Sequence, residues 1–393
     1  MEKNKSLKVL IVGAGMYVCG RGTTGYGTIL PALFQAQKDG WELEVKVAAT
    51  SAGSVKALRA KLAALRKIFG FGLDVECFPK GKSRDPQAYQ QPLKDGWWPD
   101  CAIVSVPDHL HFAITANLLR RSIPCLVVKP LAPTLREAKE LVKLQRAKNV
   151  YGAVEFHKRY DRSNLKLKEA IGSGKIGDPL YFIVEYSQRK NIPLGVFKSW
   201  ATKSNIFQYL GVHYVDIIYF ATRALPQRVM AVGQKNFLRA KGVDTYDSIQ
   251  CLIEWKSSNG RRFTSAILVN WIDPEGTSAM SDQKIKVIGT KGRYEADQKK
   301  RGICLVTDAA GIEEPNPDFS AFYANGEGET TFRGYGVESI LQFVSDVRGI
   351  IDGETSPEKL EGKRPTFSEA LVSTAVVEAA NQSLKRNGAW VNL

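Results

Sequence analysis

Residues 8–15 read Lys8-Val9-Leu10-Ile11-Val12-Gly13-Ala14-Gly15, and this stretch decides the fold. An unbroken apolar, β-branched run is a strand buried on both faces, as a parallel sheet requires. The small residues after it allow a tight turn and a close approach of backbone to a ligand. Outward from here, apolar runs at 43–50, 75–78, 101–106, 125–129 and 150–156 alternate with helical stretches at 29–38, 54–69, 109–121 and 135–148. Such alternation predicts βαβ units and a doubly wound parallel sheet.

The glycine segment continues as GAGMYVCGRGTTGYGTILPAL, residues 13–33. A dinucleotide fingerprint has a third small residue close behind the first two. Val18 stands there instead, and Gly20, Gly22, Gly25 and Gly27 follow. The stretch therefore reads as an elongated phosphate loop before a helix at Ile29. Gly13, Gly15, Met16 and Tyr17 are expected to hold a pyrophosphate, helped by the free N–H groups of a helix start. The competing reading is a flexible glycine loop without a ligand.

The second strand runs into Thr50-Ser51-Ala52-Gly53-Ser54-Val55-Lys56. An acidic residue at this point would bond a ribose 2′-hydroxyl. None is present, and hydroxyls beside a lysine suit a 2′-phosphate. The expected cofactor is NADP in preference to NAD, with Ser51 in its site. The plainer account of Ser51 and Ser54 is a helix cap.

After residue 156 the texture changes. Strand-like runs at 228–236, 247–255, 262–271 and 284–288 follow one another without helices between them, which predicts a largely antiparallel sheet. The fold class is thus α/β plus α+β. A Rossmann domain is expected over 1–155 and a substrate and oligomerisation domain over 156–393, with the last helix a candidate to pack back on the first domain.

A chain of 393 residues accommodates two domains, and 44% hydrophobic with 24% charged residues is ordinary for a globular protein. Cys19, Cys77, Cys101, Cys125, Cys251 and Cys304 are scattered, with no CxxC pair, so neither a metal site nor a disulfide framework is expected. No apolar run approaches the ~20 residues that span a bilayer. The start is too polar for a signal peptide. These features predict a cytoplasmic protein without a membrane partner. The net charge of +15 is spread along the chain with no nucleic-acid motif beside it. It reads as a solvated basic surface that suits a small anionic ligand, not nucleic acid.

In doubly wound sheets the ligand lies at the carboxyl ends of the strands. Pro107-Asp108-His109-Leu110-His111 follows the fourth strand and Lys129-Pro130 the fifth. A lysine there can carry proton chemistry when its pKa is lowered, although alone it reads as a surface residue. Tyr209, His213 and Asp216 stand at i, i+4 and i+7 of an expected helix over 207–222, so all three share a face. His213 alone reads as a core histidine; with Tyr209 and Asp216 beside it, a proton relay becomes a competing reading.

Together these segments resemble the glucose–fructose oxidoreductase and inositol dehydrogenase family, Gfo/Idh/MocA. The likeness runs through GAG, VSVPDHLHF, VVKPLAPTLREAKEL, EFHKRYD with IGSGKIGDPLYFIVEY, YLGVHYVDIIYFAT, VIGTKGRYEA and the closing GAWVNL, in that order. The resemblance implies a two-domain enzyme whose open sheet mediates homodimers or homotetramers. It matches Lys129 to the family's active-site lysine and His213 to its histidine. Pro107, Asp108 and His111 match the loop near the nicotinamide ribose, and Arg159 matches an arginine of the domain junction. Two residues depart from the pattern. Val128 replaces the glutamate of Glu-Lys-Pro, and Tyr209 replaces the acid four residues before the histidine.

The expected reaction is hydride transfer between a nicotinamide and a secondary alcohol or ketone of a sugar, polyol or nucleotide sugar. Lys129, His213, Tyr209 and Asp216 are the catalytic candidates, and His157, Arg159 and Tyr209 face the substrate. Two alternatives stay open: a redox-neutral glycosidase or epimerase using NAD, and a cofactor-binding regulator without turnover.

Overall fold

A computed structural model describes residues 6–81, 84–324, 326 and 328–393. The chain divides into two compact units. The first is drawn from Met1–Leu131, Glu137–His157 and Asp318–Glu369, and the second from Ala132–Arg136, Lys158–Pro317 and Ala370–Leu393.

The first unit holds six parallel strands: β1 (Leu7–Val12), β2 (Leu43–Ala48), β3 (Val75–Phe78), β4 (Cys101–Val104), β5 (Cys125–Val128) and β6 (Gly152–Glu155). Their order is β3-β2-β1-β4-β5-β6. The order reverses at β1/β4, the switch point where doubly wound sheets bind ligands. The β1 side chains Leu7, Val9, Leu10 and Ile11 are wholly buried, which is why the run shows no alternation. Helices α1 (Met16–Cys19), α2 (Ile29–Lys38) and α3 (Ala52–Phe69) follow the first two strands.

Residues 318–369 were expected in the second domain but belong to the first unit. Their helix, Tyr335–Ile351, places Val337, Ile340, Phe343, Val344 and Val347 in one core with β1, β2 and α2. Burial of each such side chain is worth about 1.5–3 kcal/mol, which accounts for the return of the chain.

The second unit contains β7 (Pro179–Arg189), β8 (Leu225–Gln234), β9 (Ser248–Lys256), β10 (Arg262–Asp273), β11 (Ser281–Gly289) and β12 (Arg293–Asp297). They lie in the order β12-β11-β7-β10-β9-β8, with Val391–Asn392 beside β8. The sheet is mixed: β10 runs parallel to β7, and the other pairs are antiparallel. Its inner face buries Phe182, Val184, Ile253, Trp255, Ile267 and Trp271. Helices Arg162–Gly172 and Val212–Thr222 belong to the same unit. Among the described residues, no helix is long and apolar enough to cross a membrane.

Candidate active site

The switch point is built on Gly13. Its N–H donates to Ala48 O at 2.8 Å, and its φ of +118° is open to glycine. A Cβ here would collide with Ser105 O, so only glycine fits between β1 and the strand beside it. At Gly15 a Cβ would meet nothing within 4 Å. The loop thus closes on its own backbone at Gly13 and leaves free space at Gly15, the form a pyrophosphate cradle needs.

The stretch between Gly15 and Ile29 is expected as loop, yet Met16–Cys19 forms a single helical turn. Gly20, at φ +71°, closes that turn with an N–H to Met16 O at 2.8 Å. The rest of the loop is folded. Thr28 N donates to Tyr17 O at 2.8 Å, and Lys61 Nζ donates to Gly25 O at 2.6 Å and Thr23 O at 3.0 Å. Ser51 caps α3 by accepting from Ser54 N at 3.3 Å.

At the end of β4, the Asp108 carboxylate accepts from His109 N at 2.9 Å and is buried. His111 is wholly buried. Its Nδ1 lies 2.6 Å from Pro130 O and its Nε2 2.9 Å from Val106 O. Burial, outweighing Asp108 and the two carbonyls, holds its pKa below the ordinary histidine value. The neutral ring carries one proton, which the shorter contact assigns to Nδ1. Both ring nitrogens of this expected cofactor contact thus face main chain, which makes His111 a brace. His111 joins the segments after β4 and β5, and so sets the backbone that carries Lys129.

Two further candidates are buried in the first unit. The Tyr17 ring stacks on His157 at 6.0 Å, and His157 stacks on Tyr335 at 5.8 Å. Glu155 is buried, bonding His157 Nδ1 at 2.9 Å and accepting from Ser339 Oγ at 2.6 Å. Burial and the Glu155 charge push the Tyr17 phenol up, so it stays protonated. Tyr17 and His157, expected as cofactor and substrate contacts, thus pack against each other and Tyr335 within the first unit.

In the second unit the expected helix over 207–222 splits. Phe207–Gly211 is a wide π turn and Val212–Thr222 is α-helical. Insertions of this kind are frequent at functional sites. They also break the i, i+4 spacing that placed three residues on one face. Tyr209 lies among Phe197 at 5.0 Å, Trp271 at 5.7 Å and Trp200 at 6.0 Å. His213 is buried. Asp216 turns to Arg159: Nε lies 2.9 Å from Oδ2 and Nη2 2.6 Å from Oδ1, with both residues buried. A carboxylate held by a bidentate guanidinium is a poor proton acceptor, because the ion pair favours its charged form. The structure thus places Asp216 and Arg159, expected as a catalytic group and a substrate contact, in an internal ion pair.

Lys158 escaped sequence reading. It is 1% exposed, donates to Gln298 Oε1 at 2.8 Å and to Gln283, and lies 5.2 Å and 5.4 Å from the Tyr186 and Tyr214 rings. Burial pushes its pKa down to about 7, with Arg301 adding to the effect and Asp161 opposing it. Neither periodicity nor spacing marks this lysine; its position between His157 and Arg159 in EFHKRYD is the one hint.

Comparison with known proteins bears on both units. Residues 7–156 match the NAD-binding Rossmann fold of the oxidoreductase family GFO_IDH_MocA, and residues 164–295 match the GFO/IDH/MocA C-terminal domain. The chain belongs to the Gfo/Idh/MocA oxidoreductase family. An uncharacterised oxidoreductase of Schizosaccharomyces pombe is 25% identical over 198 residues, covering 50% of this chain and 52% of the relative. The chain thus spans about half the length of that relative. A 1,5-anhydro-D-fructose reductase of Ensifer adhaerens is 24% identical over 277 residues, 65% of this chain and 79% of its own. A crystal structure of an inositol dehydrogenase homologue from Azotobacter vinelandii, with NADH and myo-inositol, superposes with a TM-score of 0.71 at 17% identity, covering 99% of this chain and 98% of that one. This last likeness is one of fold.

Proposed function

We propose that this family member moves a hydride between a nicotinamide dinucleotide, NADP in preference to NAD, and a secondary alcohol or its ketone on a polyol, sugar or nucleotide sugar. The observation that carries the reading is the switch point, where Gly13 admits no side chain and the space at Gly15 is open. Gly13, Gly15 and Met16 would hold the pyrophosphate, Ser51 the adenosine ribose, and Pro107 with Asp108 the nicotinamide ribose. The dinucleotide supplies the hydride acceptor or donor. Lys129 donates a hydrogen bond to the reacting oxygen and stabilises the charge that builds on it. His213 takes the hydroxyl proton during oxidation and returns it during reduction. Tyr209 contacts the substrate. NADP is favoured because 50–56 lacks a carboxylate. The polyol class is supported by relatives named for inositol and anhydrofructose chemistry.

The test is an absorbance assay of nicotinamide redox state with NADP or NAD and a panel of inositols, sugar alcohols, aldoses and nucleotide sugars. Turnover of at least one secondary alcohol, faster with NADP, is expected. Nucleotide binding without turnover in either direction would sink the oxidoreductase reading and favour a regulator.

We also propose a homodimer or homotetramer joined through the outer face of the second unit's sheet. That face carries Tyr181, Ile183, Val232 and Leu268, all more than a third exposed. Cross-strand register aligns them: Ala266 is opposite Ile183 and Leu252, and Gln250 is opposite Leu268 and Val232. Glu185 and Gln250 flank Leu268 on the same face, so exposed apolar side chains are interspersed with polar ones, as in many subunit interfaces. Ile183→Lys combined with Leu268→Lys should give monomers in sedimentation velocity. A wild-type chain that sediments as a monomer would exclude the interface.

A further inference from the structure

Arg21 has no counterpart in a compact glycine fingerprint; it exists because the loop after Gly15 is elongated. Several contacts fix where it goes. Gly20 turns the chain at φ +71°, Thr23 N donates back to Gly20 O at 3.0 Å, and Lys61 of α3 holds the carbonyls of Thr23 and Gly25. The Lys61 ammonium also lies 5.1 Å from the Tyr26 ring. Held in this way, the loop lies along α3 and its Arg21 guanidinium donates to Ser54 Oγ. Ser54 Oγ is 3.1 Å from Ser51 Oγ. A guanidinium and two hydroxyls therefore gather just past the end of β2, the position where doubly wound folds meet the adenosine ribose.

Basic residues outnumber acidic ones around this point, where Asp85 N donates to Thr50 O at 3.0 Å. Residues 49–56 contain Lys56 and no carboxylate. Arg84 pairs with Ser51 through the backbone. The carboxylate that follows it, Asp85, accepts from Gln87 N at 2.8 Å and from the Gln91 amide at 2.7 Å. A planar guanidinium beside hydroxyl donors matches the geometry and charge of a phosphate monoester. A free ribose hydroxyl offers it neither.

We propose that Arg21 is the residue that selects a 2′-phosphorylated dinucleotide, binding the 2′-phosphate together with the hydroxyls of Ser51 and Ser54. The proposal rests on the NADP reading above. A charge-assisted hydrogen bond is worth enough to change affinity by about tenfold to a hundredfold.

Fluorescence titration of the full chain and of its Arg21→Ala variant with NADPH and NADH, paired with calorimetry using 2′,5′-ADP and 5′-ADP, tests it. The variant should bind NADPH and 2′,5′-ADP at least about tenfold more weakly and NADH and 5′-ADP unchanged, with a flatter salt dependence for NADPH. Arg21→Lys should recover part of the loss, because charge remains while the fork is lost. Equal weakening of NADPH and NADH would show that Arg21 merely ties down the loop, and would overturn the proposal. A wild type that prefers NADPH, with a variant that still does, would place the selector elsewhere and leave the NADP reading intact. A wild type that binds NADH as tightly as NADPH would remove the NADP reading and this proposal together.

Discussion

Lys129→Ala should lower kcat by about 10²–10³-fold, the usual cost of losing one hydrogen-bond donor to a developing oxyanion. Nucleotide affinity should stay within about threefold, because the pyrophosphate and ribose contacts proposed above lie on other residues. Lys129 directly follows β5, and the Pro130 carbonyl after it is held by His111 Nδ1 at 2.6 Å. The side chain can therefore be removed without releasing the backbone it stands on. Lys129→Arg should recover little, since a guanidinium differs from an ammonium in shape and cannot share a proton. His213→Ala should cost a comparable factor of about 10²–10⁴ as lost proton transfer. Steady-state kinetics on whichever alcohol the panel identifies, with nucleotide titrations in parallel, gives the answer. Unchanged kcat in Lys129→Ala removes the lysine from the chemistry. Lost nucleotide binding would instead make it a cofactor ligand.

How far the sequence reached depended on the range of the interaction. The six parallel strands were legible because each is a short apolar run closed by its own turn. The start and end of α2 at Ile29 and Lys38 were legible for the same local reason. Allegiance to a core was not. Val337, Ile340, Phe343 and Val344 announce an amphipathic helix, but an apolar stripe fits any core, so the return of 318–369 to the first unit could not be read. The short hairpin Leu305–Thr307 with Gly311–Glu313 was missed because its residues are exposed and carry no hydrophobic pattern. The wide turn at Phe207–Gly211 was missed because one inserted residue alters no residue type. At the site, the glycines and Lys129 stood out by position beside strands. The partners did not: His111 donates to one main-chain carbonyl and lies against another, and Asp216 meets an arginine far away in sequence. Residue type alone made both look chemical.

Asp216→Ala should destabilise the protein by about 3–5 kcal/mol, since it strands a buried guanidinium. The Arg159 side chain is 4% exposed and that of Asp216 1%, so water cannot replace the lost partner. Arg159 also lies 5.1 Å over the Phe220 ring, which packs its plane but cannot neutralise it. Arg159→Ala should cost a similar amount by stranding the carboxylate, which can escape part of the penalty by taking up a proton. The pairing account makes a sharper demand on the double variant. Arg159→Met with Asp216→Leu removes both charges and refills most of the volume, and such replacements are often neutral or stabilising. It should therefore recover most of the loss, with a coupling energy of several kcal/mol in the cycle. A catalytic Asp216 demands the reverse. Its single variants would keep near-normal stability and lose turnover, and the double variant would stay inactive however well it folded. Urea unfolding of the four proteins, with kcat measured on the folded fraction, separates the two. Recovered stability with retained turnover assigns the pair to the support of the helix that carries His213. Additive losses in stability would mean that the two charges do not depend on each other, and the ion-pair account would fall.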